Sequence, residues 1–98
     1  MYPTSARPLF VSGILERDVI DVSEQGMRFR LADGEGCEQG TPVEGVVRFR
    51  RGDEVKVSGT AVRVDGREVA VHLSVGVPLR IIIDEQRYLR EHHRGSAW

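Results

Sequence analysis

The feature that most constrains the fold is a change of hydrophobic phase within residues 54–64. Val55 and Val57 occupy odd positions, whereas Val62 and Val64 occupy even positions. Because successive side chains of a strand point to opposite faces, one strand can keep a single face buried across this change only through a bulge or kink. We predict that the irregularity lies at Gly59, since glycine suits such positions. Bulged, bent strands of this kind curl small sheets into barrels.

The other segments alternate in the manner of half-buried antiparallel strands. The Asp65-Gly66 pair is a strong hairpin signal, and Arg51-Gly52-Asp53 is a second turn. A flexible loop is expected over residues 32–42, which carry three glycines and several acids. The predicted strands cover 9–15, 16–21, 27–31, 43 to the turn at 51–53, 54–64 and 69–75. The sequence therefore predicts a fold dominated by β-structure, a small antiparallel barrel of about six strands.

A different periodicity predicts one C-terminal α-helix at about 78–94. Pro78 fits the first turn of a helix. The charged residues recur at helical spacing as one solvated stripe: Arg80, Asp84, Arg87, Glu91 and Arg94. The opposite face is expected to be buried: Leu79, Ile82, Ile83, Gln86 and Leu89. The helix is expected to cap the barrel or to pack along its side.

Length and composition describe one domain of 98 residues, with a barrel at about 9–75, the helix, and a frayed tail at 95–98. The net charge of −1 disfavours a polynucleotide as partner, although all 14 basic residues except Lys56 are arginine. Arginine suits phosphate binding, and a GC-rich genome would produce the same bias. No apolar run approaches the ~20 residues that span a bilayer, so we expect no membrane insertion and a cytoplasmic location. A single cysteine, Cys37, forms no internal disulfide.

The sequence predicts a binding protein rather than an enzyme, with no catalytic residues, no metal site and no cofactor. His92 and His93 are adjacent on the predicted helix and point about 100° apart, which is unsuited to a shared metal. Ser23 lacks the strained turn of a nucleophile that could act with Asp21 and His72. No glycine-rich phosphate loop leads into a helix.

The candidate binding site is the polar turn Asp21-Val22-Ser23-Glu24-Gln25-Gly26. Asp21 and Ser23 are two positions apart, so on a strand their side chains share one face. A carboxylate beside a hydroxyl suits the edge of a nucleobase, especially the N–H donors of guanine. Gly26 can adopt φ > 0 at no steric cost and so allows a sharp turn. Local physics equally allows a simple turn that ends a strand.

The order of these parts resembles the PilZ domain family, bacterial cytoplasmic receptors for the second messenger cyclic di-GMP. The shared order is a strand, the D-x-S-x-x-G turn at 21–26, an apolar strand, a glycine-rich loop, bent hairpin strands and a terminal helix. The resemblance covers the chain from about Leu9 to Arg94. It implies that the ligand is cyclic di-GMP, that Asp21 and Ser23 contact one guanine, that Gly26 lets the backbone approach it, and that a downstream protein effector reads the signal.

Cyclic di-GMP receptors of this family also carry an R-x-x-x-R segment before the first strand, which clamps the phosphates. Residues 1–7 contain one arginine, Arg7, where the resemblance implies two. In the subgroup that this chain resembles, the pair directly precedes a Tyr-Pro dipeptide, and here Tyr2-Pro3 follows Met1. We therefore expect either an arm upstream of Met1 in the native gene or a protein that never had one. Binding by the present chain is expected to be weak.

Other arginines give only secondary candidates for phosphate contacts. Arg28 and Arg30 share a strand face near the turn, and with Arg7 they are the low-ranking candidates. The R-x-x-x-R spacings at Arg63/Arg67 and Arg90/Arg94 are not assigned to the ligand, because so many arginines produce such spacings by chance.

Two alternatives belong to other functional classes. One is a protein-interaction module of the PilZ fold that binds no nucleotide and works in pilus or cell-surface assembly. The other is a barrel for single-stranded nucleic acid, which ranks last because it needs exposed aromatic side chains on one sheet face. Phe29 and Phe49 lie in apolar rows, which leaves Tyr2, Phe10, Tyr88 and Trp98.

Overall fold

A computed structural model describes residues 2–92, which form six β-strands, a short 3₁₀ helix and one α-helix. The 3₁₀ helix is Thr4–Ala6, and the other elements are β1 (Leu9–Ser12), β2 (Leu15–Val22), β3 (Gly26–Arg30), β4 (Pro42–Arg48), β5 (Glu54–Asp65), β6 (Glu68–Val75) and α1 (Leu79–His92). The predicted barrel and C-terminal helix are confirmed. The predicted helix end at Arg94 and the tail at 95–98 lie outside the described residues.

The six strands close into an antiparallel barrel in the order β1-β2-β3-β6-β5-β4. Strand β1 completes the circle, because it pairs with β2 on one side and with β4 on the other. Apolar side chains fill the interior, where the rings of Phe10 and Phe29 lie 5.1 Å apart between centroids and Val47 and Val69 are fully buried. Burial of this apolar surface is the main term that stabilises the fold.

Two irregular positions decide which side chains of β2 and β5 face outward. The pairing of β2 with β3 shifts between Val19 and Asp21, and the pairing of β5 with β6 shifts between Ala61 and Arg63. One extra residue in a strand reverses the faces of all residues that follow it. Val62 is the extra residue of β5 and is 49% exposed, whereas Ala61 before it is buried.

The predicted irregularity at Gly59 is confirmed, because the pairing of β5 with β6 shifts between Ser58 and Gly59, but the change of phase lies three residues later. The inward phase of β5 continues through Gly59 to Ala61 and changes only at Val62. Gly59 does lie at a further irregularity, where Ser58 pairs with Val75 and Gly59 pairs with Leu73. A Cβ atom at Gly59 would collide with the carbonyl oxygen of His72. Glycine is thus required there for close approach of two backbones.

The buried face of helix α1 agrees with the expectation at Ile82 and Leu89 and differs from it at Leu79 and Ile83. Ile81, Ile82 and Leu89 are buried, whereas Leu79 and Ile83 are 52% and 44% exposed. Because three isoleucines follow one another at residues 81–83, the sequence is compatible with more than one buried helix face. Tertiary contacts determine which of them is buried. The helix begins after Pro78, whose carbonyl accepts hydrogen bonds from the amides of Ile81 and Ile82. No helix among residues 2–92 has both the length and the apolar character needed to cross a membrane.

A buried carboxylate, Glu85, fixes the helix against the barrel. Its side chain is 1% exposed and accepts a hydrogen bond from the Tyr2 hydroxyl at 2.8 Å and one from Arg51 Nε at 3.0 Å. Arg51 lies in the turn between β4 and β5 and also pairs with Asp53 and, at 3.7 Å, with Asp84. These contacts join the N-terminal segment, the turn and the helix in one network.

The loop between β3 and β4 was expected to be flexible, but it is tied to the barrel. Arg17 of β2 forms a bidentate ion pair with Glu35 of the loop, and their side chains are only 9% and 18% exposed. The Arg17 guanidinium also lies 5.8 Å from the Phe10 ring centroid and 6.0 Å from that of Phe29, within cation–π range. The loop is therefore held against the barrel by a mostly buried charge pair.

Candidate functional site

A groove on the outer wall of the barrel brings the predicted binding residues together. It has a volume of about 280 Å³. Its lining residues come from the end of β2, the following turn, β3 and β6: Asp21, Ser23, Gly26, Met27, Arg28, Ala70 and Val71. All three residues of the primary prediction therefore border one surface depression.

Asp21 faces this groove because of the irregularity in β2. Val19 and Val22 are both buried, which strict alternation forbids, and Ile20 is the extra residue between them. Ile20 is in turn fixed from outside, since its carbonyl accepts a hydrogen bond from the Tyr2 amide at 2.9 Å. The N-terminal segment thus lies directly beside Asp21.

Tyr2 itself is buried and remains a hydrogen-bond donor. Burial raises the pKa of its hydroxyl, and the carboxylates of Glu85 and Asp21 raise it further. Tyr2 and Phe10 are 2% and 1% exposed, so neither is available to stack on bases. This removes two of the aromatic side chains that a single-strand nucleic-acid surface would need.

The turn that follows β2 is closed by its own backbone. The Ser23 amide donates to the Gly26 carbonyl at 2.8 Å, and the Ser23 hydroxyl donates to the same oxygen at 3.4 Å. The expectation that Gly26 adopts a positive φ is wrong, since the positive-φ glycines among the described residues are others. Gly26 instead leaves room for the Ser23 side chain, because a Cβ atom at this position would lie 3.3 Å from the Ser23 hydroxyl oxygen.

Strand β6 contacts the turn directly. The Leu73 amide donates to the Gln25 carbonyl at 2.9 Å. At the end of β6, a Cβ atom at Gly76 would collide with the Glu24 carbonyl oxygen. The turn is therefore held in its conformation by close backbone contacts with Leu73 of β6 and with Gly76, which follows the strand.

Arg28 supplies the positive charge of the groove. Its Nη2 atom lies 3.2 Å from Asp21 Oδ2, and both side chains are 40% exposed. An ion pair with this exposure contributes little to stability, about 0–1 kcal/mol, so either partner can exchange it for a ligand at small cost. The pair keeps the carboxylate and the guanidinium close together at the groove.

The other two secondary candidates lie elsewhere. Arg7 has a side chain that is 17% exposed, its Nη1 atom lies 3.9 Å from Asp18, and its carbonyl accepts a hydrogen bond from Arg50. Arg30 is exposed and borders a separate surface depression together with Asp33 and other charged residues. Of the three arginines, only Arg28 lines the groove of Asp21 and Ser23.

The chemistry of the groove suits a planar, hydrogen-bonding ligand. Asp21 offers two acceptor oxygens, Ser23 offers a donor and acceptor, and Arg28 offers several donors in one plane. Gly26 and Ala70 project little, so a flat ring can lie close to the backbone. Among residues 2–92, no cluster of three or more histidine, cysteine, aspartate or glutamate side chains could hold a metal ion.

Sequence reasoning missed the contribution of β6 to the site. Ala70 and Val71 line the groove because β6 pairs with β3, which places Ala70 opposite Arg28. This pairing joins residues far apart in the sequence, and local alternation does not specify it. A small side chain at an outward position between Val69 and Val71 was the one available signal.

A comparison with known families assigns the chain to a family. The sequence profile described as PilZ domain matches residues 2–92, which is nearly the whole chain. The chain belongs to the PilZ domain family. PilZ domains are binding domains rather than a known catalytic family, and membership suggests a receptor for cyclic di-GMP.

The family match carries this assignment by itself, since neither curated proteins nor solved structures give a match. The D-x-S-x-x-G turn of this PilZ domain, residues 21–26, lies within the matched range and borders the groove. The ligand of the groove must therefore be argued from the chemistry of the residues that line it.

Proposed function

We propose that this PilZ domain binds cyclic di-GMP in the groove that Asp21, Ser23 and Gly26 border, and that it acts as a cytoplasmic receptor. The observation that carries the proposal is that these three residues and Arg28 line one outward-facing groove, whose volume is about 280 Å³. The fold could equally have placed these residues at separate sites, just as it places Arg7 and Arg30 away from the groove.

In this proposal the guanine edge replaces Arg28 as the partner of Asp21. Guanine presents two adjacent N–H groups, which match the two oxygens of a carboxylate. Ser23 is exposed and its hydroxyl bond to Gly26 is long at 3.4 Å, so it can reorient toward the base. Gly26 and Ala70 leave room for the ring plane.

The affinity of this 98-residue chain for cyclic di-GMP is expected to be modest. No arginine pair precedes β1 in this sequence, and each charge-assisted phosphate contact contributes roughly 1.5–3 kcal/mol. Two missing contacts weaken binding by about two to four decades compared with a receptor that has them.

Calorimetric titration of the 98-residue chain with cyclic di-GMP tests the proposal. Asp21→Ala and Ser23→Ala should each weaken binding while the melting temperature stays nearly constant, because both side chains are at least partly exposed. Asp33→Ala is the matched control, since Asp33 is an exposed carboxylate outside the groove. Unchanged affinity in Asp21→Ala would contradict the proposal, and a large loss of stability would favour a purely structural turn.

A second candidate is a PilZ-fold interaction module that binds a protein partner and no nucleotide. It is favoured by three exposed apolar side chains at and after the end of β6: Val75, Leu79 and Ile83. Leu79 and Ile83 are one helical turn apart, which places them on the same side of α1. If the chain shows no heat of binding and no chemical-shift change with cyclic di-GMP at millimolar concentration, this candidate replaces the first.

A further inference from the structure

The groove of Asp21 continues as a single row of side chains across four neighbouring strands. Asp21 of β2 pairs with Arg28 of β3, Arg28 pairs with Ala70 of β6, and Ala70 pairs with Arg63 of β5. Residues paired in this way point to the same face of the sheet. Two arginines therefore flank one alanine on the outer wall of the barrel.

Both ends of this row depend on the irregular positions described above. The extra residue Ile20 turns Asp21 outward, and the extra residue Val62 turns Arg63 outward. In a regular β5 that continued the inward phase of Val57 and Ala61, Arg63 would point into the core. β-Bulges commonly re-aim a side chain beside a functional site.

A second depression extends the groove along this row. It has a volume of about 140 Å³ and shares Arg28 and Ala70 with the first; Arg63, Asp65 and Glu68 complete its lining. Neighbouring strands lie about 4.8 Å apart, so the backbones of Arg28 and Arg63 are about 10 Å apart across Ala70. The small side chain of Ala70 leaves open space between two long cationic ones.

The present partners of these arginines are exchangeable. Arg63 lies 3.7 Å from Asp65, and the two side chains are 75% and 77% exposed, so solvent screens their attraction. Arg28 is paired with Asp21, which a guanine edge would occupy in the proposed complex. Glu68 adds a further negative charge to the second depression. A phosphate group, with its full negative charge, competes for both arginines once Asp21 has a new partner.

We propose that Arg28 and Arg63 contact the phosphates of the dinucleotide whose guanine is held at Asp21 and Ser23, an inference that rests on the proposed function. The affinity that the chain retains without an arginine pair before β1 then depends on these two residues. Arg67, which shares the R-x-x-x-R spacing with Arg63, lies outside this row, because it borders the depression of Arg30 and donates to the Leu31 carbonyl.

Cyclic di-GMP titrations followed by NMR test this inference, since chemical shifts report weak binding. Arg28→Gln and Arg63→Gln should each weaken binding about 10- to 100-fold, the effect of losing one charge-assisted contact. Arg30→Gln is the matched control, because Arg30 lies on the same strand face as Arg28 but borders another depression. Asp65→Asn should tighten binding about two- to fivefold by freeing Arg63, a gain that unfolding cannot imitate.

The outcomes separate this inference from the proposed function. If Asp21→Ala weakens binding while Arg63→Gln and Asp65→Asn leave it unchanged, the phosphate assignment is wrong and the proposed function stands. If the unaltered chain fails to bind at millimolar ligand, or if Asp21→Ala binds equally well, the proposed function fails and the inference fails with it.

Discussion

Gly26 and Gly59 both pair with β6, opposite His72 and Leu73 respectively, and neither is among the glycines with positive φ. They differ in what an added Cβ atom would meet. At Gly26 it would meet a hydroxyl that can rotate away, whereas at Gly59 it would meet a carbonyl that is part of the sheet. The surroundings of a glycine therefore decide its role here.

Gly59→Ala should destabilise the protein by about 1–3 kcal/mol, as expected when atoms are forced into a packed region. Gly26→Ala should leave stability unchanged or raise it by up to about 1 kcal/mol through a smaller entropy of the unfolded chain. Urea denaturation of both variants gives the two free energies of unfolding. Equal losses in the two variants would contradict this assignment.

The candidate site could be predicted at the level of residues but not of geometry. Asp21 and Ser23 could be named as candidates because their spacing and chemistry are local properties. The reason that Asp21 faces outward was not visible, since it requires the extra residue Ile20 and its bond to Tyr2. Arg63 was left unassigned because its spacing to Arg67 can arise by chance, and its neighbours Ala70 and Arg28 could not be foreseen since they come from other strands.

At the scale of elements, the helix illustrates a second limit of sequence reasoning. Its start could be predicted closely from Pro78 and the periodicity, but its buried face only in part. Glu85 is buried because Tyr2 and Arg51 provide hydrogen bonds for its two oxygens. A lone glutamate on an apolar face gives no sign of distant partners, so its burial could not be predicted from the sequence.

Glu85→Gln should change the pH dependence of stability. Burial raises the pKa of Glu85 above its ordinary value of 4.5, and hydrogen bonds from Tyr2 and Arg51 offset part of this effect. The folded state therefore binds this proton more tightly than the unfolded state, and the corresponding stability is present below about pH 4.5 and lost as pH rises through the folded pKa. The stability advantage of the unaltered chain over Glu85→Gln should decrease from pH 4 to pH 7.

Thermal unfolding at several pH values measures this difference, and the contributions of titrating groups remote from Glu85 cancel because both proteins share them. Glu91→Gln is the control, since it removes an exposed carboxylate from the same helix. An advantage that grew with pH would show that Arg51 outweighs burial and would contradict the stated direction.

The loop between β3 and β4 gives the opposite pH dependence. Hydrogen bonding from Arg17 lowers the pKa of Glu35, with a smaller contribution from the Ala32 amide. This contribution to stability is present above about pH 4.5 and is lost as pH falls through the folded pKa. Glu35→Gln should cost about 1.5–3 kcal/mol at neutral pH, because it replaces a charge-assisted bond with a neutral one.

Hydrogen exchange at the amides of residues 32–41, together with the melting temperature, checks this expectation. Glu38→Gln in the same loop is the control, since Glu38 is exposed. If exchange in the loop were equally fast in the two variants, the ion pair would not be what holds the loop in place.

For the whole molecule, closure of the barrel determines how a partner can bind. Within residues 2–92 each of the six strands has a neighbour on both sides, so a ligand must use side chains of the outer wall rather than a free strand edge. Barrel closure could be predicted from alternation and the bent strand, because these patterns recur along most of the chain. The N-terminal segment could not, since its anchoring at Ile20 and Glu85 involves single long-range bonds.

That anchoring allows a test of the family's phosphate clamp. The Tyr2 amide lies beside the strand that carries Asp21, so residues fused ahead of Tyr2 begin close to the groove. A variant with an Arg-x-x-x-Arg segment joined directly to Tyr2 should bind cyclic di-GMP about two to four decades more tightly. A Gln-x-x-x-Gln extension controls for added length, and equal affinity of the two extended proteins would contradict the expectation.

The extra residues in β2 and β5 also make this surface depend on chain length as much as on side-chain identity. Loss of one codon for Ile20, or of one for Val62, would keep every charged residue yet rotate Asp21 or Arg63 toward the hydrophobic interior. Lineages of such a protein can therefore exchange amino acids along these strands far more easily than they can gain or lose one.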